Sequence, residues 1–179
     1  MRKLIEATFV SLDGVIESPE RWALHLWGEG HRVHATRQLE SYDAFLFGRV
    51  TYEKFAASWS QIKGDPYYDT INRMPKFVAS NTLKTTTWNA TLLSGDVVEA
   101  VRTLKQQPGK DLIKYGGGGL DRTLIPHQLI DEFQIYVFPV TVGQGVRLFE
   151  GVNPEDVRLA LTERTALANG IVQLTYVRR

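Results

Sequence analysis

The sequence predicts an α/β fold: a mostly parallel central sheet with helices on both faces and an antiparallel C-terminal hairpin. Two observations predict it. Short apolar runs alternate with helical patterns as far as about residue 129, and the last fifty residues read as strands with little helix between them. A third is the pair Asn169-Gly170, flanked by β-branched and apolar residues, which suits a two-residue hairpin turn.

Lys3 to Val10 is a short apolar run stopped by Asp13-Gly14, the pattern of a buried strand ending in a turn. From Gly28 to Tyr42 the chain turns polar, with Val33, Ala35 and Leu39 at helical spacing. Ala44 to Phe47 reads as a second strand ended by Gly48. Thr51 then serves as N-cap of a helix from Tyr52 to Trp59. Gly64-Asp65-Pro66 reads as a loop, Lys76 to Ala79 as a third strand and Thr91 to Leu93 as a fourth. Asp96 caps an amphipathic helix carrying Val97, Val98, Val101 and Leu104, which Pro108-Gly109 terminates. Asp111 to Tyr115 is a fifth strand. A helix through Leu120, Leu124 and Leu129 follows, with a break near Pro126. Ile130 to Val140, Val157 to Ala168 and Ile171 to Val177 complete the strands.

Composition narrows the chemistry. A chain of 179 residues suits one domain and needs no staple to fold. There is no cysteine, which excludes disulfides, thiol nucleophiles and thiolate-bound metals. The 21 basic and 20 acidic residues are scattered, so nothing reads as a polyanion-binding stripe and nucleic-acid binding is disfavoured. No apolar stretch reaches the ~18 residues of a membrane span, and the expected location is the cytoplasm.

Three turns follow strands and carry groups suited to phosphate. Gly116-Gly117-Gly118-Gly119 lets backbone amides approach an anion without Cβ obstruction, although it matches neither of the usual nucleotide fingerprints. A flexible tight turn would look the same. Gly48-Arg49-Val50-Thr51 offers a turn glycine, a guanidinium and a hydroxyl; a surface arginine and a plain cap are the alternative reading. Ser80-Asn81 repeats the arrangement with hydroxyl and amide groups, which also suit an ordinary turn. In an open α/β sheet, ligands bind beyond the carboxyl ends of the strands, where all three turns would lie.

Taken in order, SLDGVI at 11–16, GRVTYE at 48–53, KFVASNTL at 76–83, GGGGL at 116–120 and LIDEFQIYVFPVTVGQGVRLFEG at 129–151 resemble the dihydrofolate reductase-like superfamily. The match is nearest to the reductase domain of riboflavin-biosynthesis enzymes and its stand-alone relatives, and it spans essentially the whole chain as a single domain. The resemblance implies NADPH as cofactor, with Gly48, Arg49, Thr51 and Gly116 to Gly119 on its phosphates and Ser80 and Asn81 near the 2′-phosphate. It also implies that Ile16 approaches the nicotinamide. Counting forward from Asp13-Gly14-Val15-Ile16 puts Glu29 where folate reductases keep their acid. Asp13 is a second candidate acid; a helix-start glutamate and an Asp-Gly turn are the plainer readings of the two.

The resemblance places Trp22 and Trp27 in the substrate-covering segment, while Trp59 and Trp88 read as core. It further implies a homodimer and the reduction of a small planar heterocycle, such as a pterin, a folate or the aminopyrimidine 5-amino-6-(5-phosphoribosylamino)uracil. The alternative is a module that binds a dinucleotide or pterin and has lost the chemistry. His25, His31 and His34 lie close in sequence, yet no carboxylate-rich surrounding accompanies them, and no metal site is expected.

Overall fold

The computed structural model describes residues 1–179. Thirteen strands and helices occur in the order β1 (Leu4–Ser11), α1 (Glu29–Leu39), β2 (Tyr42–Gly48), α2 (Arg49–Ser58), α3 (Pro66–Arg73), β3 (Lys76–Ala79), β4 (Ala90–Leu93), α4 (Val97–Gln106), β5 (Asp111–Tyr115), α5 (Asp121–Leu124), β6 (Glu132–Phe138), β7 (Leu159–Ala166) and β8 (Val172–Arg178). The eight strands form a mostly parallel sheet with an antiparallel C-terminal hairpin, as the sequence predicts. No helix is long and apolar enough to cross a membrane.

The chain groups into two compact units, one of residues 1–4 and 32–115, the other of residues 5–31 and 116–179. In the first, the strands run β4-β3-β2-β5, all parallel. Phe45, Leu46 and Phe47 are consecutive and wholly buried, which only a strand covered on both faces can achieve. Asp96 caps α4 through the amides of Val98 and Glu99, and the helix buries Val101 and Leu104.

The first unit also contains α3, in a segment whose sequence reads as a loop. Asp65 accepts the amides of Tyr67 and Tyr68, Pro66 sits at the first helical position, and Tyr67 and Ile71 are buried. At its other end, the buried Lys76 Nζ donates to the carbonyls of Ile71 and Met74, each at 2.6 Å, and lies 4.3 Å from the centre of the Trp88 ring. Lys76 thus caps α3 with a cation, at the end where the helix dipole favours one.

In the second unit, the strands run β1-β6-β8-β7. β1 and β6 are parallel from Ile5↔Glu132 to Ser11↔Phe138, and β8 is antiparallel to both of its neighbours. The β7–β8 turn has positive φ at Asn169 (58°) and Gly170 (75°), as a hairpin turn of this length requires. The helix expected through Leu129 shrinks to the four residues of α5. Pro126 cannot donate to the turn before it, and Gln128 is left-handed at φ 57°.

Candidate functional site

In the first unit, β2 and β3 pair with Gly48 opposite Ala79, so the segments that follow them, Arg49 to Thr51 and Ser80 to Asn81, leave from neighbouring points on the same edge. The structure therefore brings two of the three sequence-predicted turns together. Gly48, not Thr51, is the N-cap of α2; its backbone is extended and no side chain caps the helix. The helix begins earlier than expected because Arg49 and Val50 already take helical geometry, and Thr51 falls in its first turn. The amides of Arg49, Val50 and Thr51 consequently open α2 with the positive end of its dipole and no capping oxygen.

Arg49 is exposed, and its Nη1 donates to Glu53 Oε2 at 2.9 Å, one helical turn on. An exposed pair of this spacing contributes only a few tenths of a kcal/mol, so the guanidinium can be drawn to a stronger anion at small cost. Ser80 takes the turn role that the sequence also allowed for it. Its Oγ accepts the amides of Thr82 at 3.2 Å and Leu83 at 3.0 Å, which closes the turn and leaves Asn81 exposed on it.

The glycine turn begins the second unit's C-terminal segment. Gly116 N donates to the Ala7 carbonyl, Gly117 N to Thr8 Oγ1 and Gly118 N to Asp121 Oδ2 at 2.6 Å. Three of the four glycine amides are therefore taken up inside the protein. The open donors are Gly119 and its neighbour Leu120, a residue the glycine pattern could not flag. Gly116 and Gly118 have φ of 76° and 142°, so those positions require glycine for backbone reasons.

Gly117 requires it for space. A Cβ there would sit 2.9 Å from Ile16 Cδ1, 3.3 Å from Asp121 Oδ2 and 3.5 Å from Glu6 Oε1. Ile16 is thus seated on the glycine turn. Glu6 and Asp121 are 1% and 5% exposed, two buried carboxyl groups beside the turn that sequence reasoning missed. The signal was present, since a glutamate in the middle of the buried run LIEATFV is unusual.

Both candidate acids sit where their plainer readings put them, one in a turn and one at a helix start. Ser11 Oγ donates to Asp13 Oδ1 at 2.6 Å, and the amides of Gly143 and Val142 donate to the same carboxylate at 2.7 and 3.1 Å. These bonds, the Ser11 hydroxyl foremost, lower its pKa from 3.8 to about 2. Asp13 is a clamp between two loops, ionised near neutral pH and so a poor proton donor there. Glu29 is exposed in the first turn of α1, where the helix dipole accounts for it.

Trp22 and Trp27 serve mainly as core. Trp22 is 9% exposed, donates Nε1 to the Glu17 carbonyl and meets Phe138 edge-on at 5.7 Å. Trp27 packs on Phe9 at 4.7 Å and stacks on His31 at 5.0 Å. The ring nitrogens of His31 are bonded to Gly28 N and the Ala168 carbonyl. Trp22 also borders an open groove of about 510 Å³ with Arg21, Thr141 and Gln144.

The family model of the RibD C-terminal domain matches residues 2–173. YyaP of Bacillus subtilis, itself uncharacterised, is 30% identical over 98% of this chain and 94% of its own length. A Shewanella protein described as belonging to riboflavin biosynthesis superposes with TM-score 0.77 at 24% identity, over 99% of both chains. Dihydrofolate reductase from Enterococcus faecalis, solved with NADP(H), superposes with TM-score 0.66 at 14% identity, over 99% of this chain and 96% of that one. The last two show a shared fold, and the family match, covering nearly every residue, shows that the chain belongs to the RibD C-terminal domain family.

Proposed function

We propose that this protein binds NADPH and reduces a small planar heterocycle of the pterin, folate or aminopyrimidine kind. The observation that carries the reading is the uncapped start of α2, with Arg49 and Thr51 in its first turn and the Ser80–Asn81 turn leaving the adjacent strand. Amides at a helix N-terminus, a guanidinium and a free carboxamide suit phosphate oxygens. The second unit adds the Gly119 and Leu120 amides and Ile16 on Gly117. Within each unit, the residues present suit parts of a dinucleotide. Family membership and the NADP(H) held by the E. faecalis reductase support the same reading.

In this reading Arg49 and Thr51 hold the phosphates, and Asn81, on the turn closed by Ser80, reaches the 2′-phosphate. Gly119 and Leu120 supply further donors to the diphosphate, and Ile16 shields the nicotinamide from water. The bound cofactor supplies the hydride. Most of what the chain contributes is orientation, because anchoring the phosphates holds the reactive ring in place. We further take the 179 residues as one functional domain, acting in the cytoplasm as a homodimer.

A second reading is favoured by the two candidate acids. Asp13 is committed to its loop clamp and Glu29 stands exposed, so a module that binds dinucleotide or pterin without turnover also fits. Titration with NADPH and NADH, followed by tryptophan fluorescence, tests the shared premise. Arg49→Ala should raise the NADPH Kd about 10- to 100-fold, the usual worth of hydrogen bonds to a charged group, with little change in kcat. An unchanged Kd rejects the Arg49 assignment. Stopped-flow NADPH oxidation with pterins and aminopyrimidines then separates the readings, since binding without oxidation of NADPH across the panel would leave the module.

A further inference from the structure

The tip of the β7–β8 hairpin is fastened to the segment from Leu26 to His31, and the dinucleotide reading makes no use of the fastening. Asn169 Nδ2 donates to the Leu26 carbonyl at 2.8 Å. His31 Nε2 donates to the Ala168 carbonyl at 2.9 Å, because Nδ1 already accepts the Gly28 amide. Each end of the segment is thus tied to the tip, and Trp27 lies between the ties, stacked on His31. The two ties differ in access: His31 is 2% exposed, whereas Asn169 stands on the surface.

The residues that the turn demands are also a reactive pair. Positive φ at both positions, 58° and 75°, suits asparagine followed by glycine. The same choice sets a thermolabile side-chain amide beside a backbone nitrogen that no Cβ shields. In the reaction open to this pair, the Gly170 nitrogen attacks Asn169 Cγ. The N–Cγ bond forms, the Cγ–Nδ2 bond breaks, and the proton of the Gly170 amide leaves with Nδ2 as ammonia. Water then opens the cyclic imide at either carbonyl, giving aspartate or, with the main chain rerouted through the side chain, isoaspartate. Water is consumed, ammonia is released and nothing is oxidised or reduced.

The folded tip restrains this chemistry twice. At ψ 24° the Gly170 nitrogen lies nearly opposite Cβ about the Cα–C bond of Asn169, so the imide closes only if the turn rotates. The leaving nitrogen is also the atom that the Leu26 carbonyl holds. We propose that Asn169 is a deamidation site guarded by its own bond to Leu26, and that its conversion permanently unfastens the hairpin tip. The product carboxylate has no proton to offer, and it repels the Leu26 carbonyl oxygen. Only the His31 tie then remains, and the segment that carries Trp27 is loosened with water as the sole reagent.

The test is incubation of the folded full chain in mildly alkaline buffer, with mass spectrometry of the tryptic peptide 165–178 to follow conversion of Asn169. The folded chain should convert at least about tenfold more slowly than the same chain in urea, since reaction needs a local opening. His31→Phe removes the second tie and should raise the folded-state rate about five- to thirtyfold. Val101→Ala opens a cavity under α4, lowering global stability without touching the tip, and should leave the rate unchanged. Asn169→Asp reproduces the product, and its Trp27 and Gly28 amides should exchange with solvent faster than those of wild type. Equal rates in folded and unfolded chains, no acceleration in His31→Phe, or as much acceleration in Val101→Ala would overturn the guard. Unchanged exchange in Asn169→Asp would overturn the release. No arm involves NADPH, so the outcome is separate from that of the dinucleotide reading.

Discussion

The carboxylate of Asp13 accepts the amide of Gly143 at 2.7 Å, tying the loop after β1 to the loop after β6. With Ser11 and Val142 on the same group, this makes Asp13 the electrostatic clasp of the second unit's loops.

Its titration sets a pH dependence. The folded pKa is lowered from 3.8 to about 2, so the clasp contributes stability that is fully present above pH 3.8 and is lost as pH falls through 2. Denaturant unfolding of wild type and Asp13→Asn across that range should show the wild type losing stability the faster on acidification, the difference between them narrowing toward pH 2. Parallel curves would deny Asp13 the role.

Gly117→Ala places a methyl against Ile16 Cδ1 and between two buried carboxyl groups. Ile16 can swing aside, so the expected loss of stability is small, about 1–2 kcal/mol as for a modest overpacking. Binding should suffer more, with the NADPH Kd rising about tenfold because Ile16 no longer sits on the turn. Thermal unfolding and NADPH titration of one preparation measure both. A large fall in Tm with unchanged affinity would make the glycine purely structural.

Lys76→Met removes the cation from three carbonyl contacts and the Trp88 face while keeping most of the volume. Leaving the α3 carbonyls without a donor should cost about 2–3 kcal/mol. Burial lowers the lysine pKa from 10.5 to about 8. Between those values the unfolded chain holds more protons than the folded one, so the stability of wild type relative to Lys76→Met should rise as pH goes from 8 to 10.5. Urea unfolding at intervals across this window gives both quantities.

His31 bridges Gly28 N and the Ala168 carbonyl and stacks on Trp27. His31→Phe keeps the ring and loses both part-buried bonds, so a loss of about 1–2 kcal/mol is expected. Urea unfolding at neutral pH measures it, and a change under half a kcal/mol would assign the contribution of His31 to stacking alone.

The strands were the most legible part of the sequence. Lys76–Ala79 and Asp111–Tyr115 match the structure end for end, because buried parallel strands are short apolar runs that turn residues bound sharply. α3 was missed although Asp65-Pro66 is a helix start, since Gly64 ahead of it made the same residues look like a turn. Tyr42 was read as the end of α1 and instead opens β2, where its ring is buried. At the candidate site, the sequence marked the turns but not which of their atoms remain open. The Ser80 hydroxyl and the Gly118 amide are satisfied by neighbours in the chain, and the Gly116 and Gly117 amides by Ala7 and Thr8 of β1, none of which a spacing rule reveals. Glu6 escaped notice because an acid inside an apolar run was absorbed into the strand pattern.

The division of the chain also orders its synthesis. All of the first unit has been made once Tyr115 is added, whereas β6, β7 and β8 of the second unit follow later. During translation, residues 5–31 emerge before the first unit is complete. The carboxylate of Asp13 meets the amides it will hold only when Val142 and Gly143 arrive, so the clasp is among the late steps of folding on the ribosome.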